Sequence, residues 1–210
     1  MRKGSETRER ILEIAETAVL AKGFGATSIE ELIAEAGLTK SGFFYHFKDK
    51  NELARGLLER HIDSNDKLFA DVFGRAKELS DDPLQSFLIG LKLFAEEMAA
   101  LPNGHPGCLV ATMSYQDRLF SREIRDIVTR TVADCNGFFR AALEEIVAVY
   151  PPPEPVDVDK LARMIVCAID GAIVMSKTLQ RPAVLPEQIL IVRSHIKMQF
   201  STPVAFRVAA

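Results

Sequence analysis

The chain has 210 residues, 48% of them hydrophobic and 26% charged, enough apolar material for one sizeable core or for a small domain joined to a larger one. A formal net charge of -3 and a pI near 5.9 argue against a uniformly basic nucleic-acid binder, because phosphate contacts need clustered Lys and Arg. The most apolar run, residues 164–176, is too short to cross a bilayer and carries Asp170 in its middle, which excludes a membrane-spanning reading.

The N-terminus, MRKGSETRER, leads into an amphipathic stretch broken by Glu13 and Glu16 and lacks the apolar segment of a secretion signal, so the expected location is cytoplasmic. Cys108, Cys135 and Cys167 are odd in number, widely spaced and without a CxxC, which points away from a disulfide framework and from a zinc site. No metal and no cofactor is expected.

The predicted elements are all helical. Ile11, Leu12, Ala15, Ala18 and Val19 keep a helical period from about Ser5 to Lys22, and Gly23 stops that helix. Thr27 or Ser28 can cap a second helix, with Glu30 and Glu31 in its first turn and Ile29, Leu32 and Ile33 facing inward. Gly37 ends it, and Thr39 caps a short third helix. Phe44 and Phe47 are expected to return to the same small core, which gives a helix-turn-helix spacing. Residues 49–79 read as one long helix with Leu53, Leu57, Leu58, Ile62, Leu68, Phe69 and Phe73 as its apolar positions. SDDP breaks it at 80–83, and Leu84 to Leu101 supplies a further helix. PNGHPG at 102–107 is a run of breakers, and Cys108 opens a short helix. Residues 122–150, 160–179 and 186–200 supply the last helices, with PPPEPVDVD at 151–159 a stiff loop between two of them.

The local charge differs from the global one. Lys plus Arg equal Asp plus Glu over residues 1–60, and within 39–50 Lys40, Lys48 and Lys50 face only Asp49, with His46 besides. The start of the third helix, with Thr39, Lys40, Ser41 and Gly42, offers hydroxyls, a cation and backbone N–H groups to phosphate oxygens. With 44 and 47 inward, positions 40, 41, 43 and 45 face outward; Phe43 can then touch thymine methyls, while Tyr45, His46 and Lys50 reach flanking phosphates.

The stretch TSIEELIAEAGLTKSGFFYHFKDKNEL resembles the signature of TetR-family transcriptional regulators, and the likeness runs from residue 8 to about 55. The resemblance implies an all-α chain of about nine helices. Residues 1–50 would form a three-helix helix-turn-helix DNA-binding domain, and residues 51–210 a larger helical ligand-binding and dimerisation domain. It implies that Thr27, Thr39, Lys40, Tyr45, His46 and Lys50 hold phosphates and that Phe43 sits at a variable base-reading position. It also implies a homodimer on a double-stranded palindromic operator, released by an effector. GCLVATMSYQ at 107–116 and DGAIVMSK at 170–177 are similar to a branch of the family in which some members sense electrophiles or oxidants through the cysteine, although Ala111, Thr112 and Met113 replace the usual Gly-Asn-Leu.

On the last two helices, Ile165, Ala168, Ile169, Ala172 and Ile173 cover one side of the first, while Ile189, Val192, Ile196 and Phe200 follow the helical period in the second. One chain is not expected to cover all of these, and the resemblance makes them the dimer interface. Cys108 at a helix start feels dipoles that favour a thiolate, and Lys177 nearby would add to that. Cys167, Asp170, Val174 and Lys177 fall on one stripe of their helix. Position makes Phe69, Phe94, Met98, Cys108, Met113, Asp170 and Lys177 the effector candidates, an apolar set with few polar groups that suits a small organic or thiol-reactive molecule.

An enzyme is the rival class, but no HExxH, Glu-x-x-His pair, P-loop or GxGxxG spacing is present. The other alternative is a helical protein-interaction module that does not bind DNA.

Overall fold

The structure, a computed structural model, describes residues 2–152 and 154–200; Pro153 of the expected stiff loop lies outside them. Among the described residues the regular structure is helical, with no strand. Helix α1 spans Arg2–Lys22 and ends as expected at Gly23, whose φ of 85° is a left-handed conformation that a side chain would strain. Helix α2 spans Ile29–Glu35. Its cap is Ser28 rather than Thr27, with the hydroxyl accepting from the Glu31 amide at 3.1 Å. Gly37, at φ 61°, then lets Leu38 N–H donate back to the Ile33 carbonyl, the six-to-one bond that closes a helix end.

Helix α3 spans Lys40–His46, capped by Thr39, which accepts from the Gly42 amide at 3.1 Å. Helix α4, Lys50–Leu79, opens on a reciprocal cap: the Asp49 carboxylate accepts from Glu52 N–H, and the Glu52 carboxylate accepts from Lys48 N–H. Pro83–Ala99 is α5, with Asp82 accepting from the Gln85 amide and Pro83 in the first turn, where its missing N–H costs nothing. Leu109–Ser114 is α6. A short 3-10 turn over Asp117–Leu119, which the sequence pattern did not signal, leads into α7, Arg122–Val149. Val158–Thr178 is α8 and Val184–Phe200 is α9.

The chain divides into two packed units. The first comprises Met1–Leu68 with Pro106–Ala133. Its core joins Ile11, Leu12 and Val19 of α1 to Leu32, Phe43 and Phe47, to Leu53 and Leu57 of α4, and to Leu109, Met113, Phe120 and Ile124 from the second stretch. Polar contacts reinforce that second stretch: the Gln116 side chain accepts from Gly25 N–H at 3.0 Å, and Asn51 accepts from Ser121 N–H at 3.0 Å. Arg60 of α4 is ion-paired to Glu9, Glu13 and Glu16 of α1, three carboxylates presented on one helix face.

The second unit comprises Phe69–His105 with Asp134–Ala210. Here α9 packs against both α5 and α8. Phe69, Phe73, Phe87, Phe94, Phe138 and Phe139, from α4, α5 and α7, form one aromatic cluster with neighbouring centroids 5.0–6.4 Å apart. Gly90 makes room for it: a Cβ there would lie 2.4 Å from the Phe73 ring. No helix of the described chain is long and apolar enough to cross a membrane.

Candidate nucleic-acid interface

Helix α3 presents two faces. Phe43 is fully buried, touching Phe44 and Phe47 at centroid distances of 5.5 and 5.8 Å. Lys40, Ser41, Phe44 and Tyr45 are exposed, Phe44 by 37% and Tyr45 by 83%. The expectation that Phe43 faces outward and Phe44 inward is therefore reversed. Positions 40, 41, 44 and 45 repeat at one helical turn and make a single coherent surface, which 43 does not share. Phe43 is four residues from Phe47 and Phe44 three; both spacings are helical, and the core takes the pair 43 and 47.

Around this face the expected phosphate contacts sort themselves by what each group already does. Thr39 and Ser41 are exposed, their hydroxyls 3.2 Å apart, and Lys40 is an exposed cation. The Gly42 amide is taken by the Thr39 cap, so it is not the open N–H that was anticipated. His46 is half-buried with its ring edge-on to Tyr45 at 5.0 Å.

Two expected phosphate ligands are engaged within the chain instead. Thr27 is 1% exposed and its hydroxyl donates to the Gly23 carbonyl at 3.0 Å, which closes the α1–α2 turn and keeps it from solvent. Lys50 donates its ammonium to the Phe24 carbonyl at 3.1 Å and lies 5.0 Å over the Phe24 ring. Burial lowers its pKa, opposed by the charge of Glu30. Lys48, exposed just beyond α3, was counted in the local charge but not nominated, and it is better placed to meet solvent than Lys50.

The effector candidates fall in both units. In the first, Met113 is 1% exposed and belongs to the core, and Cys108 caps α6, its sulfur accepting from the Ala111 amide at 3.3 Å. In the second, Phe94 and Met98 are buried, Phe69 belongs to the aromatic cluster, Asp170 is half-buried and Lys177 is exposed. Burial, and then the Asp170 charge, push the Cys135 thiol up to about 11, which leaves it protonated near neutral pH. Burial, and then Lys177, lower the His105 pKa. None of the three cysteines is in a disulfide, and among the described residues no group of His, Cys, Asp or Glu could hold a metal ion. A cavity of about 410 Å³ does open in the second unit, but it is lined by Phe73, Phe87 and Phe138 with Lys77, Ser86 and Glu145, not by the seven nominated residues.

The residues expected at the dimer face are covered, wholly or in part, within the single chain. Ile165, Ala172, Ile173, Ile189, Val192, Ile196 and Phe200 are all buried within the single chain, and Ala168 and Ile169 are half-buried. The exposed apolar residues of these helices are their neighbours: Met164, Val174 and Met175 on α8, Leu179 at its C-terminal cap, and Leu190, Ile191 and Met198 on α9. Because α9 is sandwiched by α5 and α8, its strongest apolar stripe is used internally.

With the exposed helix-turn-helix face established, comparison with known proteins decides what it belongs to. Residues 11–57 match the model of bacterial regulatory proteins of the tetR family. The chain is a TetR-family transcriptional regulator. Its function is DNA-binding regulation of transcription, not catalysis. Over 175 residues it is 29% identical to the probable HTH-type transcriptional regulator ArpR of Pseudomonas putida, covering 81% of this chain and 80% of that protein. It is 34% identical over 56 residues to the HTH-type transcriptional repressor NemR of Escherichia coli, which covers 27% of this chain and 28% of that one. In fold it is similar to a TetR transcriptional regulator from Chloroflexus aurantiacus, with a TM-score of 0.79 at 24% identity, covering 95% of this chain and 98% of that one. The fold is thus the all-helical TetR-family fold, with an N-terminal helix-turn-helix followed by a helical C-terminal part.

Proposed function

We propose that this TetR-family regulator reads its operator with the surface formed by Lys40, Ser41, Phe44 and Tyr45. The single observation that carries the proposal is the joint exposure of those four residues on one face of α3 while Phe43 and Phe47 hold its other face in the core. Lys40 and Ser41 of the face, with Thr39, His46 and Lys48 beside it, offer the donors that phosphates take, and Phe44 offers the apolar ring to thymine methyls that position 43 cannot. Lys40→Ala tests it. Affinity should fall on every DNA sequence alike, and the slope of log K against log salt should become shallower by about 1. An unchanged slope would return the chain to the alternative of a helical interaction module.

The protein acts as a homodimeric repressor on a palindrome, with the two α3 helices about 34 Å apart in successive major grooves. What supports pairing is the exposed apolar stripe of α8 and α9, where Val174, Ile191 and Met198 are 51%, 57% and 71% exposed, and where a Cβ on Gly171 would meet nothing within 4 Å. Val174→Glu places a charge in that stripe, and sedimentation equilibrium should then report a monomer where the parent chain is a dimer. A Val174→Glu chain that stays dimeric would move the interface elsewhere.

Release from DNA follows an effector that prefers a conformation with poor operator affinity, by population shift. The name of NemR, a repressor, supports repression as the sign of the response. Cys108, set at the α6 cap with Asp170 and Lys177 on another helix, is one entry point for a thiol-reactive signal. Treatment with a mild thiol-specific electrophile should release operator from the parent chain and leave Cys108→Ser bound, read by fluorescence anisotropy at fixed salt. Equal behaviour assigns the response to a reversible small organic ligand. The chain works in the cytoplasm, where operator DNA is found.

A further inference from the structure

We propose that the connection between α6 and α7, together with the first residue of α7, is a second DNA-contacting element: over 115–122 it sets Arg118, with Tyr115 on the same connection, against backbone phosphates that flank the half-site met by α3. The proposal rests on the operator reading above and carries the footprint beyond the helix-turn-helix. It adds no base contact, so its contribution is independent of sequence.

The connection is fastened to the helix-turn-helix at three places. The Gln116 side-chain carbonyl accepts from Gly25 N–H at 3.0 Å, three residues before the Ser28 cap of α2. The Phe120 ring lies 4.8 Å from that of Phe24, the same ring over which Lys50 sits at 5.0 Å. The Asn51 side chain accepts from Ser121 N–H at 3.0 Å, three residues after the exposed Lys48. The connection therefore runs beside the points where α2 begins and where α3 gives way to α4. It continues the border on which His46 and Lys48 offer donors to phosphates.

What these fastenings leave in solvent is cationic and polar. Tyr115 is 86% exposed, and Arg118 is exposed and in no ion pair among the described residues. The Arg122 side chain is 89% exposed and reaches Asp126 of its own helix at 3.9 Å. Glu123, the first carboxylate of α7, is neutralised by Arg55 at 2.6 Å. Over 115–122 two arginines thus stand against Asp117 alone, a local positive excess in a chain of net charge -3. An exposed guanidinium and an exposed phenol three residues apart are groups from which phosphate oxygens take hydrogen bonds.

The test is fluorescence anisotropy over a series of salt concentrations, with the full chain on two duplexes cut from one selected operator. One ends at the outer edge of the palindrome, and the other runs about ten base pairs further on each side, one turn of the double helix. Duplex length alters ion condensation by itself, so each variant is compared with the parent chain on the same duplex. Arg118→Ala should leave the shorter duplex bound as before and weaken binding to the longer one by roughly three- to tenfold. On the longer duplex the slope of log K against log salt should become shallower by about 1 for each chain bound. Arg118→Lys should restore that slope, and Asp117→Asn, which removes a charge that repels phosphate, should strengthen binding to the longer duplex alone. Lys40→Ala separates this element from the α3 face, because it should weaken both duplexes alike. Equal losses from Arg118→Ala on both duplexes, no loss on either, or a loss on the longer one with the salt slope unchanged would each overturn the proposal.

Discussion

Phe43→Ala is expected to lower stability by about 3–5 kcal/mol, the cost of removing a fully buried ring, and to be read as a drop in the denaturation midpoint with loss of operator binding on every sequence. The ring is 0% exposed and packs on Phe47 and Phe44, so nothing in its surroundings can collapse cheaply into the space. Phe44→Ala is the informative partner. Its ring is partly in water, so it should cost far less stability, and it should change which operator sequence is preferred. The two substitutions are adjacent and chemically identical, which makes the contrast a direct test of which phenylalanine faces the groove. A shift in sequence preference from a folded Phe43→Ala chain, with none from Phe44→Ala, would reverse the assignment.

The second large effect is expected at Phe139, which is also 0% exposed and has Phe69, Phe73, Phe87 and Phe138 as ring neighbours at 5.9, 6.4, 6.3 and 5.3 Å. Phe139→Ala removes a shared edge-to-face partner of all four, and about 3–5 kcal/mol of stability should go with it. Because Phe73, Phe87 and Phe138 line the cavity of about 410 Å³, the same change should also disturb its wall. Chemical denaturation checks the loss of stability. Unchanged stability would mean that the remaining rings close over the gap.

Much of this was legible in the sequence, and the part that was not has identifiable causes. Helix ends could be read because they are marked by chemistry: Gly23 and Gly37 take left-handed conformations, and Thr39 and Asp82 accept from amides three residues on, although the Asp157 cap that starts α8 lay inside the expected loop. The short turn at Asp117–Leu119 carries no such mark. Facing was harder. A residue at spacing three and one at spacing four from Phe47 both satisfy the helical period, so Phe43 and Phe44 could not be separated without the surrounding core. The same ambiguity hid which apolar stripe stays exposed, because period alone cannot say that α9 spends its best apolar face on α5 and α8. The resemblance implied that Thr27 and Lys50 hold phosphates, yet a hydroxyl can turn to the Gly23 carbonyl and an ammonium to the Phe24 carbonyl once the chain brings those acceptors close. The cavity was missed because Ala141, Ala142 and Ser86 announce nothing in one dimension; a space is defined by what is small around it.

The packing of Leu109, Met113, Phe120 and Ile124 into the same core as α1 to α4 has a consequence for protein engineering. A hybrid regulator made by cutting in α4 beyond Leu57, and grafting the DNA-reading head onto another sensor, would carry away Leu12, Phe24 and Leu57 without the side chains that cover them, and would strand Gly25 and Asn51 without Gln116 and Ser121. The transplantable head of this protein is therefore discontinuous in sequence: specificity can be exchanged only if the stretch from Pro106 to Ala133 travels with it or is matched by its counterpart in the recipient.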